Sequence, residues 1–166
     1  MEYRILGKTG LKISRLGFGG IPIQRIDAEG TKPLMQQMKE AGRDVSRIQH
    51  SDFIQRMDLA YAVADVVISR SGASSVSELC AAHKATIFVP SPNVTEDHQT
   101  HNAMALVNKD AALIVKDVEA DEKLMKTACE LIEDTAKVTL LEENIGKLAL
   151  RDAAMTIVDE IYRIVR

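Results

Sequence analysis

A group of small and polar residues lies where an apolar strand run at residues 65–69 gives way to a predicted helix. Its members are Ser71, Gly72, Ala73, Ser74, Ser75 and Glu78. Backbone N–H groups at a helix start are unpaired and lie at the positive end of the helix dipole, so this turn suits a phosphate or diphosphate. Glu78, one turn further on, can accept hydrogen bonds from paired sugar hydroxyls. The same pattern also fits ordinary capping, with Ser71 or Ser74 as N-cap and Glu78 as an acid favoured by the dipole.

A second polar group follows the next strand of the predicted sheet. The run at residues 86–90 leads into a Pro-rich loop, and the helix after it opens with His98 and Gln99. The carboxyl ends of neighbouring parallel strands meet at one sheet edge, which is where open α/β sheets bind ligands. Hydroxyl, carboxylate, amide and imidazole groups therefore converge as a nucleotide-sugar site requires. No catalytic residue is assigned, and Asp52 or Asp97 as a general acid or base would be a guess.

The elements that position these groups alternate between strands and helices. The predicted strands cover residues 45–49, 65–69, 86–90 and 112–115, and the two middle runs are apolar enough to be buried on both faces. Such alternation is typical of an α/β fold with a mainly parallel sheet, here a three-layer Rossmann-like domain. A β-hairpin at residues 3–14, a strand at 16–20 and a helix at 31–41 precede it.

Helical spacing of apolar residues predicts six further helices. They cover residues 53–64, 74–82, 98–108, 121–132, 140–148 and 151–165. In the last of them, one stripe of apolar side chains is expected to be buried. The stripe consists of Ala154, Ile157, Val158, Ile161 and Ile164.

Composition excludes several functional classes. The 166 residues carry 21 Lys and Arg against 24 Asp and Glu, with no basic stripe and no Trp, so nucleic acid is not an expected partner. Cys80 and Cys129 lack metal-ligand spacing and lie in apolar helical stretches, which predicts buried, reduced thiols in a cytoplasmic protein. No apolar run reaches the length of a membrane span, and neither a metal nor a cofactor is expected.

Residues from about 45 to 166 resemble the C-terminal, donor-binding domain of the MurG-type glycosyltransferases. These enzymes have two domains of the GT-B type and transfer N-acetylglucosamine from UDP-N-acetylglucosamine to the lipid-linked precursor of peptidoglycan. The segments that carry the resemblance are Ser69-Arg70-Ser71-Gly72-Ala73, Ser77-Glu78, Phe88-Val89-Pro90, Asp97-His98-Gln99-Thr100 and Asn102-Ala103.

The resemblance implies a role for each part of the site. Phe53, Ile54 and Met57 would border the uracil, and Ala73, Ser74 and Ser75 would line the diphosphate and ribose. Glu78 would hold the ribose hydroxyls, and His98 and Gln99 would contact the acetylglucosamine. In the family, the acceptor site lies in an N-terminal domain that this sequence does not contain, and the enzymes are peripheral on the inner face of the bacterial membrane.

Residues 1–42 resemble a different family, the aldo/keto reductases, whose barrel begins with a hairpin, a strand and a helix. The similarity is densest from Glu2 to Gly20. We predict a chimera with its junction between residues 36 and 46, residues 43–166 being the nucleotide-sugar-binding segment and the whole chain folding as one domain. Reductase activity is not expected, because the family's catalytic Tyr, Asp, Lys and His lie beyond the similar segment.

Two functions follow as expectations. The first is an incomplete UDP-N-acetylglucosamine-binding domain that binds UDP or the nucleotide sugar weakly and does not transfer sugar alone. The alternative is a structural or engineered fusion scaffold with no ligand, forming homo-oligomers through surfaces left by the missing segments.

Overall fold

The computed structural model describes the backbone of three short N-terminal strands, Glu40, and residues 53–94 and 97–165. The three strands are β1 (Tyr3–Ile5), β2 (Lys12–Ser14) and β3 (Leu16–Phe18). β1 pairs antiparallel with β2, as the predicted hairpin requires. Glu40 is helical, whereas the rest of the predicted helix at 31–41 and the predicted strand at 45–49 lie outside the described residues.

A four-stranded parallel sheet organises the described chain. Its order is β3, β4 (Val66–Ser69), β5 (Ala85–Phe88) and β6 (Leu113–Ile114). Val66 lies opposite Leu16 on one side and Ala85 on the other, so β4 is an inner strand. Both β4 and β5 are apolar and buried, which is the pattern of parallel strands covered on both faces.

Six α-helices accompany the sheet in the described residues. They are α1 (Met57–Val63), α2 (Ala73–Ala82), α3 (His98–Val107), α4 (Ala120–Glu133), α5 (Thr135–Gly146) and α6 (Ala153–Val165). A single 3₁₀ turn at Asp117–Glu119 leads into α4.

Two apolar clusters cover the two faces of the sheet. Val66, Ile68 and Ile87 pack against α4 and α5 on one face, where Leu131 and Leu141 are buried. Val67 and Phe88 point to the other face and pack against α2 and α3. Alternate residues of each strand thus pack against helices on opposite faces of the sheet. The predicted three-layer α/β fold is confirmed.

Two predicted helix boundaries were wrong. The helix expected from residue 53 begins at Met57, and the helix expected at 140–148 begins at Thr135. In the second case, the Asp134 side chain accepts a 2.9 Å hydrogen bond from the backbone N–H of Lys137 and caps the helix. Only Asp134 separates α4 from α5, so a tight cap replaces the expected loop.

Two predicted burials were also wrong. Every described residue of α6 is exposed, including the stripe of Ala154, Ile157, Val158, Ile161 and Ile164 that was expected in the core. α6 follows the turn after α5, and its exposed residues show that it does not pack against the sheet or the other described helices. Cys80 is buried and free as expected, but Cys129 is exposed because its neighbour Ala128 takes the core-facing position on α4.

Candidate functional site

The turn after β4 places the start of α2 at the carboxyl edge of the sheet. Gly72 is the N-cap of α2, with extended backbone (φ −63°, ψ 150°), and no described side chain makes a capping hydrogen bond there. Capping by Ser71 or Ser74 is therefore not how this helix begins. The N–H of Val76 is bonded to the Gly72 carbonyl, which leaves the N–H groups of the first turn facing outward.

Among the described residues, no atom stands close in front of this helix end. A Cβ atom added to Gly72 would meet none of their atoms within 4 Å. Ala73 and Ser74 are exposed and Ser75 is partly buried. The arrangement leaves an accessible row of backbone donors at the positive end of a ten-residue helix, which is a geometry that favours an anion.

Ser71 joins this turn to the start of α3. Its fully buried hydroxyl donates a 2.8 Å hydrogen bond to the backbone carbonyl of Gln99, and the Asn102 side-chain amide donates to the Ser71 carbonyl at 3.1 Å. The Gln99 side-chain oxygen in turn accepts from the N–H of Ser91 at 2.9 Å. The two polar groups predicted to converge are thus bonded to each other, with Ser71 and Gln99 at the point of contact.

The start of α3 is shaped by Asp97. This residue adopts a left-handed backbone conformation (φ 51°), and its carboxylate accepts a 2.6 Å hydrogen bond from the Thr100 hydroxyl. Asp residues tolerate this conformation better than most. His98 begins the helix and is exposed at its end, on the same edge of the sheet as Gly72.

Glu78 is exposed on α2 and faces α1. Its Oε2 atom accepts a 3.2 Å hydrogen bond from the Tyr61 hydroxyl. Burial, with the charge of Glu78 adding to it, raises the pKa of Tyr61 to about 12, so this phenol stays a protonated donor at neutral pH. Sequence reasoning missed Tyr61, because no local pattern relates residues 17 positions apart on two different helices.

The residues predicted to border a base lie at the entrance to α1. Phe53 is 77% exposed, and Ile54 and Met57 are exposed as well. Met57 and Tyr61 are four residues apart on α1 and share one helix face, so the contact between Tyr61 and Glu78 turns that face towards α2. Exposed apolar side chains in this position offer a surface for a flat ring.

The Arg70 side chain connects the elements that meet at the carboxyl edge of the sheet. Its guanidinium donates to the Val89 carbonyl at 2.9 Å and the Pro90 carbonyl at 3.1 Å, and it forms an ion pair with Asp117. The end of β4 is thereby tied to the end of β5 and to the 3₁₀ turn. Sequence reasoning gave Arg70 no role, since Asp117 is 47 residues away.

The described residues contain no group of three or more His, Cys, Asp or Glu that could hold a metal ion. Among the helices of the described chain, none is long and apolar enough to cross a bilayer. The fold is that of a Rossmann-like domain, and helix-start donors, a carboxylate and exposed apolar side chains lie around the sheet edge where open α/β sheets bind ligands.

The family model of the glycosyltransferase family 28 C-terminal domain matches residues 22–157, and the chain belongs to this family. The matched range starts within residues 1–42, for which we predict a reductase-like origin. The junction predicted between residues 36 and 46 stays a prediction.

Curated relatives point to one kind of enzyme. A UDP-N-acetylglucosamine--N-acetylmuramyl-(pentapeptide) pyrophosphoryl-undecaprenol N-acetylglucosamine transferase from Bacteroides fragilis is 52% identical over 132 residues, covering 78% of this chain. The enzyme of the same name from Porphyromonas gingivalis is 56% identical over 115 residues, covering 69% of the chain. Because these matches cover 35% and 30% of the relatives, the chain spans about a third of their length.

A solved structure agrees with the sequence comparisons. The crystal structure of Acinetobacter baumannii MurG matches 78% of this chain with a TM-score of 0.68 and 29% sequence identity, over 38% of its own length. The Rossmann-like fold of the MurG C-terminal domain, and the resemblance stated from residues 69–103, are thereby confirmed.

Proposed function

We propose that this chain is a UDP-N-acetylglucosamine-binding domain that binds the donor weakly and does not transfer sugar on its own. The observation that carries the proposal is the bonding of the Ser71 turn to the start of α3 through the Ser71 hydroxyl and the Gln99 carbonyl, 2.8 Å apart. That contact holds the start of α2, whose backbone N–H groups suit an anion, beside the start of α3. The family and the names of the relatives support the choice of ligand.

Each part of the ligand has a proposed place. The diphosphate lies before the N–H groups of Ala73, Ser74 and Ser75, and Glu78 accepts hydrogen bonds from the ribose. The uracil lies against the apolar group at Phe53, Ile54 and Met57. His98 and Gln99, at the start of α3, contact the acetylglucosamine. A position on the cytoplasmic side of the membrane is part of the proposal by analogy with the relatives.

Lack of transfer belongs to the proposal because the match covers only about a third of each relative. We therefore expect binding without turnover.

Calorimetry with UDP-N-acetylglucosamine, UDP and UMP tests the proposal. We expect a dissociation constant above about 1 μM, equivalent to binding weaker than about −8 kcal/mol, with UMP weakest because it lacks the second phosphate. Glu78→Ala should weaken UDP binding about tenfold, as loss of charge-assisted hydrogen bonds does, with little change in melting temperature. Sub-micromolar affinity, sugar transfer by the chain alone, or no binding of any uridine nucleotide would contradict the proposal.

A second candidate function is a scaffold without a ligand that associates with itself. It is favoured by α6, whose apolar side chains are exposed along the whole helix. Under this hypothesis Glu78→Ala changes only stability, by no more than about 1 kcal/mol, through loss of the hydrogen bond from Tyr61. The calorimetric comparison above therefore separates the two functions.

A further inference from the structure

Tyr61 and Glu78 form a pair that joins α1 to α2 at the candidate site. The Tyr61 ring packs against the apolar cluster around Val67 and Phe88, while its hydroxyl reaches Glu78 Oε2 at 3.2 Å. One end of the tyrosine is thus held by the core and the other end lies at the surface. The position of the Tyr61 hydroxyl is therefore restricted, because the ring that carries it is packed against other side chains.

A fixed hydrogen-bond donor such as the Tyr61 hydroxyl restricts the position of the Glu78 carboxylate. Glu78 is exposed, and a free glutamate side chain samples many rotamers, so fixing it on binding costs conformational entropy. Among the described side chains, Tyr61 is the hydrogen-bond donor to Glu78. The bond engages Oε2 and leaves Oε1, together with a lone pair of Oε2, to accept further hydrogen bonds.

We propose that Tyr61 is a positioning residue that holds Glu78 ready to accept hydrogen bonds from the vicinal hydroxyls of a ribose, and so makes the site select ribonucleotides over deoxyribonucleotides. This inference rests on the proposed function, since it assigns the nucleotide's sugar to Glu78. Tyr61 acts through Glu78 and is not placed in contact with the ligand.

Selectivity follows from the chemistry of the carboxylate. A ribose presents two neighbouring donors to a carboxylate, whereas a deoxyribose presents one and leaves an acceptor without its partner. A site that is built to bond a hydroxyl discriminates against the analogue that lacks it. The discrimination is strongest when the acceptor is already fixed, because the ribose then gains the bond without the entropic cost of ordering Glu78.

The test compares the binding of UDP with that of 2′-deoxy-UDP and 3′-deoxy-UDP. The readout is the dissociation constant of the deoxy analogue divided by that of UDP, called the ratio below. For the wild-type chain we expect at least one deoxy analogue to bind about tenfold more weakly than UDP. Tyr61→Phe should lower that ratio by about threefold, and Glu78→Ala should bring it to about one. In the Tyr61→Phe, Glu78→Ala double variant, the ratio should equal that of Glu78→Ala alone, as expected for two residues that act as one unit.

A matched control is available in α6. Tyr162→Phe removes the same hydroxyl from an exposed helix that is not part of the site, and it should leave the ratio unchanged. Glu78→Asp provides a second variant, because it keeps the charge but withdraws the carboxylate by one methylene group. It should lower the ratio as Tyr61→Phe does, and it remains informative if Tyr61→Phe does not fold.

A ligand-free measurement examines the pair itself. Absorbance titration of the tyrosines in the wild-type chain should show one phenol that titrates near pH 12, and Glu78→Gln should shift it to lower pH. If no phenol responds to Glu78→Gln, the pair does not form and the inference is overturned.

The remaining outcomes are distinct. Binding of UDP with a ratio that Tyr61→Phe does not change would overturn the inference and leave the proposed function intact. Failure of the wild-type chain to bind any uridine nucleotide would overturn both. A ratio lowered by Tyr61→Phe and unchanged by Tyr162→Phe would support both.

Discussion

Gly72 has no conformational need to be glycine. Its φ of −63° is open to every residue, and a Cβ atom would meet no atom of the described residues within 4 Å. The space before it is instead where the proposed diphosphate approaches the backbone of α2. A side chain at this position would therefore act on the ligand and hardly on the fold.

We accordingly expect Gly72→Ala to weaken UDP binding several-fold and Gly72→Val to weaken it by an order of magnitude or more. The free energy of unfolding should fall by no more than about 1 kcal/mol, the difference between glycine and an aliphatic N-cap residue. Calorimetry and urea unfolding of the same samples measure the two effects separately. Equal binding by all three proteins would show that the diphosphate does not lie at this turn.

Single residues of the site differ in how far the sequence alone could reveal them. Ser71, Gly72 and Glu78 lie in one local pattern, a strand end followed by a helix start, and that pattern can be read from spacing. Tyr61 cannot be found in this way, because its partner lies on another helix and a tyrosine within an apolar helical run looks like a core residue. The ligand role of Ser71 stays a prediction, and its hydroxyl donates a hydrogen bond to the Gln99 carbonyl.

At the scale of elements, Arg70 connects three of them. Its side chain is only 15% exposed and Asp117 is 34% exposed, so the ion pair is partly shielded from water. Replacing Arg70 would leave the Asp117 carboxylate and the carbonyls of Val89 and Pro90 without this donor. The ends of β4 and β5 would then lose the link that holds the loop edge in place.

Arg70→Met should therefore lower the free energy of unfolding by about 2–3 kcal/mol, within the range for charged hydrogen bonds lost from a shielded site. It should also weaken UDP binding, since the turn at Gly72 is no longer fixed. Lys123→Met is the control, because it breaks the exposed ion pair between Lys123 of α4 and Glu119 of the 3₁₀ turn and should cost less than about 1 kcal/mol. Similar losses for both variants in chemical unfolding would refute the assigned role of Arg70.

The contact between α2 and α5 depends on a second glycine. A Cβ atom on Gly146 would lie 2.3 Å from Nδ1 of His83, which is closer than real atoms approach. His83 follows α2 with a left-handed backbone conformation (φ 52°), and its exposed ring has to move if residue 146 carries a Cβ atom. The present packing of these helices therefore depends on glycine at 146 as long as the His83 ring keeps its position.

Gly146→Ala should destabilise the chain by about 1–3 kcal/mol through overpacking, in spite of alanine's higher helix propensity. In a His83→Gly background, where glycine suits the left-handed conformation, the same substitution should become neutral or stabilising. Thermal unfolding of the four proteins of this cycle gives the coupling energy. Additive effects would mean that the two residues do not touch in solution.

The bounds of helices and strands were predicted well where the periodic spacing of apolar residues along the sequence was clear. β4, β5, α2 and α3 were expected within a few residues of their observed bounds. The start of α5 was missed because Asp134 sits alone between two helices, so no cluster of turn residues marks the boundary. For α6 the helix was predicted correctly but its burial was not, since periodicity identifies an apolar face without saying what covers it.

Across the whole molecule, the N-terminal segment and the family domain meet in one sheet. β3 lies before the range matched by the family model, residues 22–157, and its Gly17 pairs with Val67 of β4 in a parallel ladder. The reductase-like origin of this segment stays a prediction, and it is compatible with the pairing because both fold types are built from parallel strands joined by helices. This pairing is what the prediction of a single folding unit requires.

In the part of the chain that the structure describes, the apolar stripe of α6 is exposed along its length, with Ile161 55% exposed and Ile164 82% exposed. A helix of this length is marginal alone in water, and contiguous apolar patches tend to be covered by another protein surface. We expect two copies of the chain to cover each other's stripe at high concentration. Light scattering should then give a mass above the monomer's 18.3 kDa that falls on dilution.

Ile157→Glu combined with Ile161→Glu should restore the monomer, because it places charges within the stripe. The stability of the body should change by less than about 0.5 kcal/mol, as both side chains are exposed in the single chain. Asp159→Asn, on the opposite side of α6, should leave the mass unchanged. A wild-type chain that stays monomeric at all concentrations would contradict self-association, whereas a large loss of stability in the Glu variant would mean that α6 packs on its own domain.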